Sequence, residues 1–150
     1  MTTDSSGVER HRGREAALQL LYQWEVGSLD HAGLNEAIAF YWSAHPAPGP
    51  RRRFAESLVV GTTAHVGEID PFIEGNTDNW RLSRLAVVDR LIMRMAVYEL
   101  VYSQIPAPVV IDEAIELALT YGGEQTAPFV NGVLDSINRG LKDPGKASEK

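Results

Sequence analysis

Residues Ile105 to Asp135, IPAPVVIDEAIELALTYGGEQTAPFVNGVLD, carry nearly every signal by which a sequence marks two helices joined by a tight turn. Pro106 and Pro108 stop anything helical before them, because proline has no amide hydrogen and restrains its predecessor to extended conformations. A helix is predicted from near Val109, with Val110, Ala114, Ile115, Ala118 and Tyr121 spaced as one buried stripe and Asp112, Glu113 and Glu116 outside it. Gly122 and Gly123 are expected to end it, since glycine costs little in the left-handed conformation that closes many helices. Thr126 is the expected N-cap of a second helix, with Pro128 in its first turn and Val130, Val133, Leu134 and Ile137 as its stripe.

The same three-and-four spacing extends through the rest of the chain. Ala17, Leu20, Leu21 and Trp24 predict a first helix that begins around Arg12 and ends at Gly27; Leu34, Ile38, Tyr41 and Trp42 predict a second over 30–44. HPAPGP, at 45–50, reads as a loop or stiff spacer and not a domain boundary, because neither side has enough apolar residues to fold alone. A third helix is expected from Arg51 with Phe54, Leu58, Gly61, His65 and Ile69 in register and a kink at Pro71 that still lets Phe72 and Ile73 reach the core. Trp80 and Leu82 lead by a short turn into the most apolar helix, about 86–102, whose stripe is Val88, Leu91, Ile92, Met95, Tyr98 and Tyr102. Met93 and Met95 read as packing residues among aliphatic neighbours. No alternating strand pattern competes, so the expectation is an all-α, single-domain antiparallel bundle of about seven helices. Residues 10–141 form its body, with a disordered tail over 1–9 and a flexible one over 142–150.

With 150 residues the chain is long enough to bury a core without metals or crosslinks. The absence of cysteine removes disulfides, thiolate metal sites and cysteine nucleophiles, and suits a reducing cytoplasm. No apolar run is long enough to span a membrane, and the charged N-terminus lacks the apolar segment of a secretion signal. A net charge of −6 argues against nonspecific nucleic-acid binding. Its distribution argues for something more selective. Positive charge clusters at Arg10, His11, Arg12 and Arg14, again at Arg51, Arg52 and Arg53, and at Arg90 and Arg94. Salt screens charges beyond about 8 Å, so a local patch can hold phosphate whatever the distant acidic faces do. Cations at the start of a helix oppose its macrodipole, and a cost without a folding benefit suggests a use outside folding. Solvation of an exposed chain end is the plainer explanation for the first cluster, a solvated helix start for the second, and pairing with acids such as Asp89 or Glu99 for the third.

Three blocks together resemble the NusB family of bacterial transcription antitermination factors: RHRGREAALQLLYQW at 10–24, DRLIMRMAVYEL at 89–100, and IPAPVVIDEAIELALTYG followed by PFVNGVLD. They stand in the family's order and spacing and cover most of 10–138. The resemblance implies a bacterial, cytoplasmic, noncatalytic factor that binds single-stranded boxA RNA of nascent ribosomal transcripts together with NusE, a ribosomal protein of the small subunit, within an RNA-polymerase antitermination complex. Carried over position by position, RNA contact falls on Arg10, His11, Arg12, Arg14 and Phe129, and further on Tyr22, Arg94 and Asn131. Cations serve phosphates while aromatic and amide side chains serve splayed bases. Packing of Phe129 and bracing of the FVNG turn by Asn131 are the structural readings of those two. NusE proteins are basic, which nominates Asp89, Glu113 and Glu116 as docking acids. The resemblance also leaves room for a homodimer that hides the arginine-rich surface. The triple arginine at 51–53 departs from the family pattern.

No catalytic, metal or cofactor site is expected. TYGGEQT has neither the Walker lysine nor the dinucleotide spacing, and His11, His31, His45 and His65 form no pair at ligand spacing. His65 lies on an apolar stripe, where a packed histidine is the expectation. Asp112, Glu113 and Glu116 lie at a helix start, where acids complement the dipole. Two other readings remain at this point. One is a protein-binding helical scaffold whose arginines only solvate; the other is an RNA-targeting accessory domain like the NusB-like domain of ribosomal RNA cytosine methyltransferases, although this chain is too short for the methyltransferase itself and has no cysteine nucleophile.

Overall fold

The computed structural model describes residues 2–78 and 81–142; Met1, Asn79, Trp80 and residues 143–150 of the tail predicted over 142–150 lie outside the described residues. Seven α-helices and one 3-10 turn account for nearly all of them, with no strand among the described residues. The chain divides into two compact units between Thr63 and Ala64 and not at HPAPGP.

In the first unit α1 spans Thr2–Gly27, α2 spans His31–Ala44 and α3 begins at Gly49 and ends at Ala64. The expected disordered tail is thus helical from Thr2, and this removes the electrostatic puzzle of the arginines. Arg10 is the ninth residue of α1 and not part of its first turn, so the positive end of the dipole lies two turns away. Ala17, Leu20 and Leu21 are buried as the spacing predicts, while Trp24 is only half-buried. Asp30 caps α2 by accepting from the Gly33 amide at 2.7 Å, and Leu34, Ile38, Tyr41 and Trp42 are all buried. Burial, reinforced by the Glu15 carboxylate, pushes the Tyr41 phenol above its ordinary value, with Arg51 opposing.

The second unit holds α4 (Val66–Glu74), the 3-10 turn Leu82–Arg84, α5 (Val87–Tyr102), α6 (Ala107–Tyr121) and α7 (Thr126–Lys142). The expected kink at Pro71 is not where the helix is interrupted. The break falls at His65, and Pro71 sits inside α4. Just before the break the Thr63 hydroxyl donates to the carbonyls of Val59 and Val60, a competing bond that weakens and bends a helix end. Ile69 and Ile73 are buried on α4, and His65 packs its ring 4.4 Å from Tyr102 and 5.9 Å from Tyr98, as a packed histidine should.

α5 is the central helix of this unit: it packs against α4, α6 and α7, and every residue from Leu91 to Val97 is buried. Met93 and Met95 are packing residues, whereas Tyr102 is exposed at the end of the stripe. On α6 the stripe is Val110, Ala114, Leu117 and Ala118; Leu117 takes the place expected of Tyr121, which is exposed.

The turn between α6 and α7 departs most from expectation. Gly122 closes α6 with φ −98°, so left-handed freedom is not its purpose. A Cβ there would stand 2.6 Å from Thr126 side-chain carbons and 2.8 Å from the Ala118 carbonyl oxygen. Glycine is needed because α7 starts against the end of α6. Thr126 is not an N-cap but the first residue of α7; its hydroxyl accepts from the Gly123 amide at 3.0 Å and donates to Asp89 Oδ1 at 3.0 Å.

Candidate nucleic-acid interface

The arginine cluster of α1 divides by depth. Arg10 and Arg12 are exposed, His11 is half-buried with its Nε2 3.9 Å from Glu15 Oε2, and Arg14 is only 2% exposed. Arg14 is therefore not available as an open phosphate contact. Its guanidinium lies 5.0 Å from the centre of the Phe54 ring on α3, and that of Arg10 lies 5.8 Å from the same ring. Phe54 comes this close because residue 13 is glycine: a Cβ on Gly13 would stand 2.9 Å from Phe54 Cδ2. One residue before the cluster, Glu9 Oε1 accepts from Arg51 Nε at 2.7 Å.

Of the triple arginine only Arg51 is half-buried, while Arg52 and Arg53 are exposed. Arg51 pairs with Glu9, Arg52 lies 5.9 Å from the Trp42 ring, and Arg53 is exposed. Further along α1, Tyr22 is 45% exposed and lines an open, mainly apolar groove of about 520 Å³ with Val26, Leu29 and Phe40. His11 and Tyr22, eleven residues apart, fall on one face of the helix, about 16 Å from each other along its axis.

The nominated residues of the second unit separate similarly. Arg94 is 7% exposed and forms a two-pronged pair with Asp70 of α4, Nε to Oδ1 at 2.8 Å and Nη2 to Oδ2 at 2.9 Å. Asp89 and Glu99, expected as acidic partners for Arg90 and Arg94, are not those that these bonds join to them. Arg90 donates to the carbonyls of Leu82 and Leu85 at 3.1 and 3.2 Å and so holds the 3-10 turn. A buried guanidinium with two prongs on one carboxylate is engaged within the fold, which gives Arg94 a structural role beside the phosphate contact expected of it. Phe129 is half-buried and Asn131 exposed on α7; two positions apart, they point about 160° away from each other. They do not form one recognition surface. Asp89 is occupied by Thr126, while Glu113 is half-buried and Glu116 exposed, one turn apart on α6.

No charge or motif in the sequence marks Phe54, Gly13 or Glu9 as part of the site. Phe54 reads in sequence as an ordinary stripe residue, and the contact that matters spans some forty positions. Among the described residues no group of three acidic, histidine or cysteine side chains could hold a metal ion, and no helix is long and apolar enough to cross a membrane. What the exposed part of α1 can do chemically is grip an anionic chain and offer an aromatic ring beside it.

Residues 11–139 match the NusB family. The transcription antitermination protein NusB of Anaeromyxobacter sp. (strain Fw109-5) is 43% identical over 144 residues, covering 95% of this chain and 99% of that protein. Among solved structures, T. maritima NusB is 36% identical with a TM-score of 0.79, covering 87% of this chain and 90% of its own. NusB from the complex of antitermination factors NusB and NusE with double-stranded RNA is 27% identical with a TM-score of 0.77, covering 87% of this chain and 96% of its own. With the all-helical fold, the sequence blocks and these likenesses in agreement over almost its whole length, the chain belongs to the NusB family.

Proposed function

We propose that this protein is a cytoplasmic, noncatalytic transcription antitermination factor that binds boxA-type single-stranded RNA of nascent ribosomal transcripts together with NusE, inside an RNA-polymerase antitermination complex. The observation that carries this reading is the exposed pair Arg10 and Arg12 on a helix of a NusB-family chain whose net charge is −6. Arg10 and Arg12, two positions and about 160° apart, are exposed cations on one helix of an otherwise acidic protein, as selective and not general RNA binding requires. The solved complex of NusB and NusE with double-stranded RNA supports NusE and RNA as partner classes.

In this proposal Arg10, Arg12 and His11 take phosphates, Tyr22 takes a base, and Phe129 and Asn131 contribute separately from opposite sides of α7. Arg14 and Arg94 serve the fold. Glu113 and Glu116 on α6 are the carboxylates offered to the basic NusE surface, and Asp89 acts within the fold through Thr126. Self-association that covers Arg10 and Arg12 would compete with RNA and lower apparent affinity as protein concentration rises. The tagged protein should copurify with elongating RNA polymerase, and ribonuclease treatment should release it. Recovery of a ribosomal RNA modification enzyme without polymerase would favour the accessory-domain reading instead.

A further inference from the structure

We infer that Phe54 is a positioning residue for RNA binding, acting through Arg10. This rests on the RNA-binding reading of the α1 face. Arg51 and Phe54, one turn apart on α3, meet Glu9, Arg10, Gly13 and Arg14 along two turns of α1. The Glu9–Arg51 pair ties the two helices at one end of this contact, and the absence of a side chain at Gly13 lets the ring settle between the positions of Arg10 and Arg14. Arg14 is the buried side of the arrangement and Arg10 the exposed side.

An aromatic ring is well suited to hold an arginine that must also bind something else. A carboxylate partner would neutralise the guanidinium and occupy its donors. A ring face attracts the cation through its quadrupole and leaves the N–H edge and the full charge available. Holding the side chain in place before RNA arrives also removes part of the rotamer entropy that binding would otherwise cost. Phe54 thus needs no contact with RNA to affect its affinity; its contact with the buried Arg14 serves the fold, and its influence on RNA should pass through the exposed Arg10.

The test compares the full-length parent with Phe54→Leu and with a variant carrying pentafluorophenylalanine at position 54, which keeps the shape of the ring and inverts its quadrupole. Affinity for a boxA-like oligoribonucleotide is read by fluorescence anisotropy and folding by circular dichroism. Both variants are expected to bind about three- to tenfold more weakly, the fluorinated one with parental helix content. In an Arg10→Ala background the same two changes should have no further effect. If Arg10→Ala weakens binding but the fluorinated variant binds as the parent does, the positioning role is overturned and the RNA reading stands. Equal losses with and without Arg10 would likewise overturn it, because Phe54 would then act by another route. If Arg10→Ala itself leaves binding unchanged, both the RNA reading of this face and the inference fail.

Discussion

Arg14 and Arg94 show how little a residue's type says about its use. Both stand in blocks rich in positive charge, and both are buried, one over Phe54 and one against Asp70. Removing a guanidinium from water is costly unless its charge and donors are met, so burial itself argues that these two are committed within the fold. The Arg94–Asp70 pair can be tested directly. Asp70→Ala would take a two-pronged carboxylate from a buried cation and should destabilise the protein by about 3 kcal/mol in denaturant titration. Replacing both partners together, Arg94→Met with Asp70→Leu, should recover much of that loss and leave RNA affinity at the parental level. A drop in RNA affinity in the folded double variant would return Arg94 to the interface.

At the scale of elements, helix existence was legible in the sequence almost throughout, because apolar spacing reflects burial directly: Leu34, Ile38, Tyr41 and Trp42 on α2 are all buried as read. What was not legible depended on partners distant in sequence or on competing local bonds. Thr126 looks like a cap, yet its hydroxyl is engaged by Asp89, thirty-seven positions away. Proline suggested a kink at residue 71, whereas the helix is interrupted after the Thr63 hydroxyl bonds, at His65. The glycine at 122 was correctly read as a helix end for a reason that does not apply there; close approach of Thr126 and the Ala118 carbonyl requires it. Gly122→Ala should therefore cost about 1–3 kcal/mol by overpacking, although alanine is the better helix former. In thermal melts that corresponds to a fall of about 2–4 °C for each kcal/mol in a chain of this size. An unchanged midpoint would mean that the α6–α7 turn relaxes to admit a methyl group. Of the site, the arginine cluster was legible from charge alone; the division of that cluster into exposed and buried members was not, since Phe54 and Gly13 make it.

For the whole molecule the decisive property is a contrast between sign and place. The chain carries a net charge of −6, and the positive residues at 10 and 12 remain exposed despite it. Such a protein should show weak affinity for arbitrary RNA and a marked preference for the right sequence presented with the right partner. The measurement that tests this most directly is fluorescence anisotropy with a boxA-like oligoribonucleotide and a scrambled one, with and without NusE, across a salt series. The account predicts tighter binding of the boxA-like RNA and further tightening by NusE. It also predicts that Arg10→Ala with Arg12→Ala makes the logarithmic salt dependence shallower by about 1.4, the share of two phosphate contacts on a single strand. Equal affinity for the two oligonucleotides in the presence of NusE, or a salt dependence that the double substitution leaves unchanged, would contradict it.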